Sequence, residues 1–105
     1  MKPFRYTTVE SVSGALKTAQ ETGARYKAGG TDILGLMKER VETPDQLIDL
    51  NNIRELSGIS GRPGGGFSIG TTTTVADLAK HDQLGKTYPV LAQAAACVAS
   101  PQLRN

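Results

Sequence analysis

The chain has one cysteine, one histidine and no tryptophan, and aromatic residues make up only 5% of it. A single thiol, Cys97, permits no internal disulfide and no cysteine-based metal site. With His81 as the sole histidine, a zinc centre would have to lean on carboxylates. A Ser-His-Asp triad would have to take His81 as its base. That residue stands beside Asp82 in a polar stretch, which reads as surface. No metal site and no catalytic side chain is expected, so any chemistry done with this chain falls to a bound group. No apolar run approaches the roughly 18 residues of a membrane span. The opening residues Met1-Lys2-Pro3-Phe4-Arg5-Tyr6 lack an apolar h-region, and no signal peptide is expected. Twelve Lys and Arg stand against ten Asp and Glu, a net charge of +2 with no basic run between aromatics. Nucleic acid is therefore not an expected partner, nor is a membrane.

What is present fits one small domain. The 105 residues are 38% hydrophobic and 21% charged, enough for one modest core and too apolar for disorder. Glycine carries the information. There are twelve, most of them clustered at Gly29-Gly30, in the run Gly61-Arg62-Pro63-Gly64-Gly65-Gly66, and at Gly70.

The pattern along the chain is mixed α/β. Phe4 to Tyr6 reads as a short extended segment. Ser11 is a helix N-cap, and Val12, Ala15, Leu16 and Ala19 recur on one face of the helix it opens. Gly23 is expected to stop that helix as a C′ glycine. Ala24 to Ala28 is a strand. Thr31 and Asp32 open a second helix with Ile33, Leu36, Met37 and Arg40. After Pro44, Gln46 to Leu50 is a strand, and Asn51-Asn52 ends it. A helix between two short apolar strands predicts a βαβ unit with a parallel pair. Leu56 to Ser60 and Gly66 to Gly70 predict an antiparallel hairpin around the glycine-proline turn. Thr74 caps a helix containing Val75, Leu78 and Ala79. Pro89 opens a last helix whose buried face is Val90, Leu91, Ala94, Ala95 and Val98, and Ser100-Pro101 ends it.

The sharpest local signal is Lys27-Ala28-Gly29-Gly30-Thr31-Asp32-Ile33-Leu34, running from a strand through two glycines into a helix. A diphosphate needs close backbone approach and several N–H donors. Glycine permits both, because it has no Cβ and reaches positive φ. The first amides of the following helix add partial positive charge, and Thr31 adds a hydroxyl. Asp32 would be repelled by a diphosphate, so it caps the helix or reaches a sugar hydroxyl. A plain turn before a helix uses the same residues, so this segment alone leaves both readings open. Stricter motifs fail: no G-x-G-x-x-G follows a strand, and Gly85-Lys86-Thr87 lacks the upstream P-loop glycine, which falls at Lys80.

Other candidates read as structural. The Gly61 to Gly66 turn is a hairpin turn, with Pro63 lacking an N–H. Thr71 to Thr74 serve as strand exit and helix cap, with contact to a cofactor from a neighbouring loop as the alternative. Tyr6, Tyr26 and Tyr88 are packing residues with surface hydroxyls. Cys97 is expected to be a buried small apolar residue. Arg104 can pair with a carboxylate or a cofactor phosphate.

Four segments taken together resemble one family along the whole chain. They are Lys2 to Tyr6, Tyr26 to Leu34, Tyr88-Pro89-Val90-Leu91, and Ala99-Ser100-Pro101-Gln102-Leu103-Arg104-Asn105. The chain is similar to the N-terminal part of the FAD-binding (medium) subunit of molybdenum hydroxylases, the xanthine dehydrogenase and aldehyde oxidoreductase group. The resemblance implies the first α/β subdomain of a vanillyl-alcohol-oxidase-type flavin fold across residues 1–105. It implies that the backbone from Lys27 to Leu34 wraps the FAD diphosphate, and that Arg104 and Asn105 lead into a further FAD-contacting loop. That loop, a second subdomain and the cysteines of an iron-sulfur cluster would lie beyond Asn105, so the chain is expected to be a fragment of such a subunit, inactive when isolated. The implied function is an electron-transfer module of a molybdopterin-dependent oxidoreductase. The implied partners are a molybdopterin-binding large subunit and a 2Fe-2S small subunit, with a homo-oligomer left open. The implied location is the cytoplasm, or export beside a signal-bearing partner. The alternative is a non-catalytic α/β module that acts through protein contacts.

Overall fold

A computed structural model describes residues 1–105, which form two compact units, Met1–Leu56 and Ser57–Asn105. The first contains β1 (Arg5–Thr8), α1 (Val12–Thr18), β2 (Ala24–Lys27), α2 (Ile33–Lys38) and β3 (Gln46–Asp49), then a 3-10 turn at Arg54–Leu56. Its sheet has the order β1-β3-β2 with both pairings parallel, so Leu47 stands beside Tyr6 on one side and Arg25 on the other. The parallel βαβ unit is therefore present. The short extended segment at Phe4 to Tyr6 proves to be part of a full third strand.

Burial explains why β3 is central. Gln46, Leu47 and Ile48 are all buried, and successive side chains face opposite sides of a sheet. A strand buried on both faces carries an apolar run, as parallel sheets require. Ile48 joins Val9, Ala15 and Ile53 in a buried cluster, against which Val12 and Ala19 pack.

Helix α1 begins where Ser11 Oγ accepts from the Gly14 amide at 3.0 Å. Leu16, expected on its inner face, is 60% exposed. Two turns of helix bury only a narrow stripe, and Val12, Ala15 and Ala19 fill it. Gly23 is not the C′ residue, since the C-cap is Ala19. It has φ +81 in the turn into β2, where an added Cβ would lie 2.3 Å from Asp45 Oδ2. Arg40, expected in α2, lies beyond it with φ 59 and is exposed.

The second unit opens with the expected antiparallel hairpin, β4 (Ile59–Gly61) and β5 (Phe67–Ile69). Its turn closes through Arg62 N to Gly66 O at 3.0 Å. Helix α3 (Val75–Lys80) is capped by Thr74 Oγ1, which accepts from the Asp77 amide at 3.1 Å. Helix α4 (Asp82–Thr87) has no counterpart in the sequence reading. His81 caps it through Nδ1, which accepts from the Leu84 amide at 3.1 Å, and its ring meets Phe67 edge-on. Helix α5 (Pro89–Cys97) follows, then α6 (Pro101–Arg104), capped by Ser100 Oγ. Of the buried face expected on α5, only Ala95 is buried; Val90 is 77% exposed. Cys97 is exposed as well, not buried. A unit this small lacks the surface to cover a whole apolar helix face.

Candidate functional site

The strand β2 ends at Lys27, whose carbonyl accepts from the Leu50 amide at 2.9 Å. The chain then bends through Ala28 to Asp32 and enters α2. Gly30 takes φ +85, which L side chains rarely adopt. An added Cβ there would also stand 2.8 Å from Lys27 Cε. Gly29 differs: its Cβ would meet nothing within 4 Å, and its φ is not positive. Beyond the bend, Leu34 N donates to Gly30 O and Leu36 N to Asp32 O, each at 3.1 Å. The amides of Gly29, Gly30, Thr31, Asp32 and Ile33 donate to no backbone acceptor. The bend thus presents consecutive unengaged donors beside a glycine with open space, and Thr31 and Asp32 within it are exposed.

Asp32 occupies the N-cap position without a capping bond. Its φ of −91° and ψ of −53° are already helical, whereas side-chain capping needs an extended cap residue. The expected capping role is therefore not realised.

The Lys27 ammonium is committed elsewhere. Nζ donates to Tyr6 Oη at 3.1 Å and to the Ala28 carbonyl at 3.2 Å, and lies 3.6 Å from Asp49 Oδ2. Tyr6 Oη in turn donates to Asp49 Oδ2. Asn51 donates to Asp49 Oδ1 from both its backbone and side-chain nitrogens, each at 2.8 Å. The Tyr6 bond, with Asp49 behind it, holds the Lys27 pKa above its ordinary value against the cost of burial. Burial pushes the Asp49 carboxyl up, but the bonds from Tyr6 and Asn51 and the Lys27 charge outweigh it, leaving the pKa below the usual carboxylate value. One residue from each of β1, β2 and β3 meets here, Lys27 and Asp49 being the last of their strands, with Asn51 just beyond.

This gives an acid-side prediction. A depressed carboxylate stabilises the fold above its unfolded pKa, near 3.9, and that contribution disappears as pH falls through the lower folded value. Asp49→Asn is expected to cost roughly 1–3 kcal/mol at neutral pH. The gap from wild type should close progressively below about pH 4. Thermal melts of both proteins across that range check it, and a gap independent of pH would refute the ionic role.

Arg104 and Asn105 lie in the second unit, at the end of α6. Arg104 Nη1 donates to the Val98 carbonyl at 2.7 Å, and Asn105 Nδ2 to the Pro101 carbonyl at 2.9 Å. Arg104 thereby satisfies the carbonyl just past the end of α5, whereas the Pro101 carbonyl also accepts from the Asn105 amide at 3.3 Å. Thr73 Oγ1 likewise bridges the Gly58 amide and carbonyl at 3.0 and 3.1 Å. Sequence reasoning missed Tyr6, Asp49 and Asn51 as supports of the bend. The Asp-x-Asn spacing after a strand, which forms an Asx turn, was the available signal.

The profile of the FAD binding domain in molybdopterin dehydrogenase matches residues 2–105. The chain belongs to this family. This FAD-binding-domain chain is 42% identical over 106 residues to the aldehyde oxidoreductase FAD-binding subunit PaoB of Escherichia coli, covering 100% of itself and 33% of that relative. It is 38% identical over 104 residues to the carbon monoxide dehydrogenase medium chain of Hydrogenophaga pseudoflava, covering 97% of itself and 36% of that chain. Among solved structures, quinoline 2-oxidoreductase from Pseudomonas putida 86 matches with a TM-score of 0.91 at 32% identity, over 100% of this chain and 38% of that one. The domain thus spans about a third of the length of the relatives it matches.

Proposed function

We propose that the bend from Gly29 to Ile33 holds the diphosphate of FAD, within the flavin subunit of a molybdopterin-dependent oxidoreductase of the aldehyde or xanthine dehydrogenase type. The observation that carries this is the row of unengaged amides beside Gly29, whose missing Cβ leaves room for close approach. The donor set fits the group: it is neutral, backbone-derived and supplemented by the Thr31 hydroxyl. Lys27 and Leu34 shape the segment from its two ends, the first through its ion pair and the second through its amide bond to Gly30. Asp32, free of a capping duty, is left for a sugar hydroxyl. For Arg104 and Asn105 the support is the resemblance of Ser100 to Asn105 to the family segment.

When bound, FAD supplies the redox chemistry and the protein supplies binding, orientation and electrostatics. The reading makes the chain part of an electron-transfer module whose partners carry molybdopterin on a large subunit and 2Fe-2S clusters on a small one. It includes a cytoplasmic location, or export in the company of a signal-bearing partner; no helix is long and apolar enough to cross a membrane.

The test is purification of the protein that carries this sequence. Flavin is expected to co-elute with it on gel filtration, and ADP, which shares the diphosphate, to compete with FAD. Colourless protein that takes up no added FAD would overturn the reading. Thr31→Ala is expected to weaken FAD binding by about 1 kcal/mol, roughly fivefold in Kd, through loss of one hydrogen bond. Titration of flavin-free protein with FAD measures it.

A further inference from the structure

We infer that Asn51 is a positioning residue for the diphosphate bend, aiming the Gly29 amide by anchoring the carbonyl of the same peptide unit. The inference rests on the proposed diphosphate site. Asn51 Nδ2 donates to the Ala28 carbonyl at 2.7 Å. In a trans peptide the carbonyl and the following N–H lie in one plane and point in opposite directions. Fixing Ala28 O therefore fixes Gly29 N–H, the first of the unengaged donors. Gly29 does little to hold that plane by itself, because the torsion on its side is that of the most permissive residue.

Asn51 is itself held. Its backbone amide and side chain both bond Asp49 Oδ1 at 2.8 Å, and Asp49 is held by Tyr6 and by Lys27. The chain of contacts runs from β1 through β3 to the end of β2, so the sheet sets the direction of a peptide in the two-glycine bend. Lys27 Nζ is the second donor to Ala28 O, at 3.2 Å, but it is shared with Tyr6 and Asp49. Asn51 is exposed and lies outside the buried core, so changing it removes the strut with little loss of packing.

The experiment measures the FAD and ADP dissociation constants of the purified flavin-free protein together with its melting temperature. Asn51→Ala removes the side-chain donor without adding a charge; it is expected to raise both constants about five- to tenfold while the melting temperature stays within a few degrees. Asn51→Gln retains the donor on a longer arm and is expected to recover much of the affinity. Unchanged constants in Asn51→Ala would overturn the inference. So would equal weakening in Asn51→Gln, since the donor would then not be the operative feature. Gly29→Ala serves as the reference. If it abolishes binding while Asn51→Ala has no effect, only the strut is refuted. If Gly29→Ala binds FAD normally, the diphosphate reading fails and the strut with it.

Discussion

Gly29→Ala is expected to strip the flavin from the protein while leaving its stability unchanged or slightly raised. The two glycines of the bend separate fold from ligand, because the structure demands glycine at one and not at the other. At Gly29 an alanine methyl would meet nothing within 4 Å, and the backbone is not left-handed. Glycine to alanine at such a compatible site stabilises by about 0.4–1 kcal/mol, through the unfolded chain. Any loss of flavin must then come from a ligand that needs the space. Gly30→Val is expected to lose flavin as well, but with a fall in stability. Its φ of +85 costs an L residue about 1–2 kcal/mol, and more when Cβ is branched. The Cβ would also press on Lys27 Cε at 2.8 Å, the stem of the side chain that pairs with Asp49. The ratio of flavin to protein absorbance, read with a thermal melt for each variant, separates the two effects. Full flavin content in a well-folded Gly29→Ala protein would mean that no diphosphate lies against this bend.

Much of the fold was legible because its signals are local. Ser11 and Thr74 cap helices as their side chains dictate, the apolar run at Gln46 to Leu50 makes a buried strand, and Gly29-Gly30 punctuates the chain between strand and helix. Less legible were features that depend on what packs where. Val90 and Leu16 follow helical spacing but face outward, since periodicity gives a face and says nothing of whether a neighbour covers it. Helix α4 was invisible because its cap is a histidine, outside the usual Ser, Thr, Asp and Asn set. Asp32 read as a cap from its residue type, and only its backbone angles remove that role. For the site, the sequence identified the bend itself. It could not show that Tyr6, Lys27 and Asp49 converge, because their neighbourhood follows from parallel pairing of strands distant along the chain.

Ile48→Ala is expected to unfold the first unit or leave it marginal, and to take the bend with it. Ile48 is fully buried on the central strand, in a cluster with Val9, Ala15 and Ile53. Truncating such a side chain removes about 2–5 kcal/mol, part as lost transfer energy and part as a cavity the neighbours cannot close. Small domains have total stabilities of only about 5–15 kcal/mol, and short chains sit at the low end. Ile48→Val should cost only about 0.5–1.5 kcal/mol, which provides a graded series in urea unfolding. Val90→Ala, at a position 77% exposed, should change stability by less than about 0.5 kcal/mol. The series also bears on function, because Ile48 immediately precedes Asp49, and Asp49 holds both Lys27 and Asn51. Slack in β3 therefore loosens the Ala28 carbonyl anchor before the chain is globally unfolded. Flavin affinity is expected to decline in step with stability across the Ile48 series, whereas in Gly29→Ala it declines alone. Equal melting temperatures for Ile48→Ala and wild type would show that the weight of the core lies elsewhere than on the central strand.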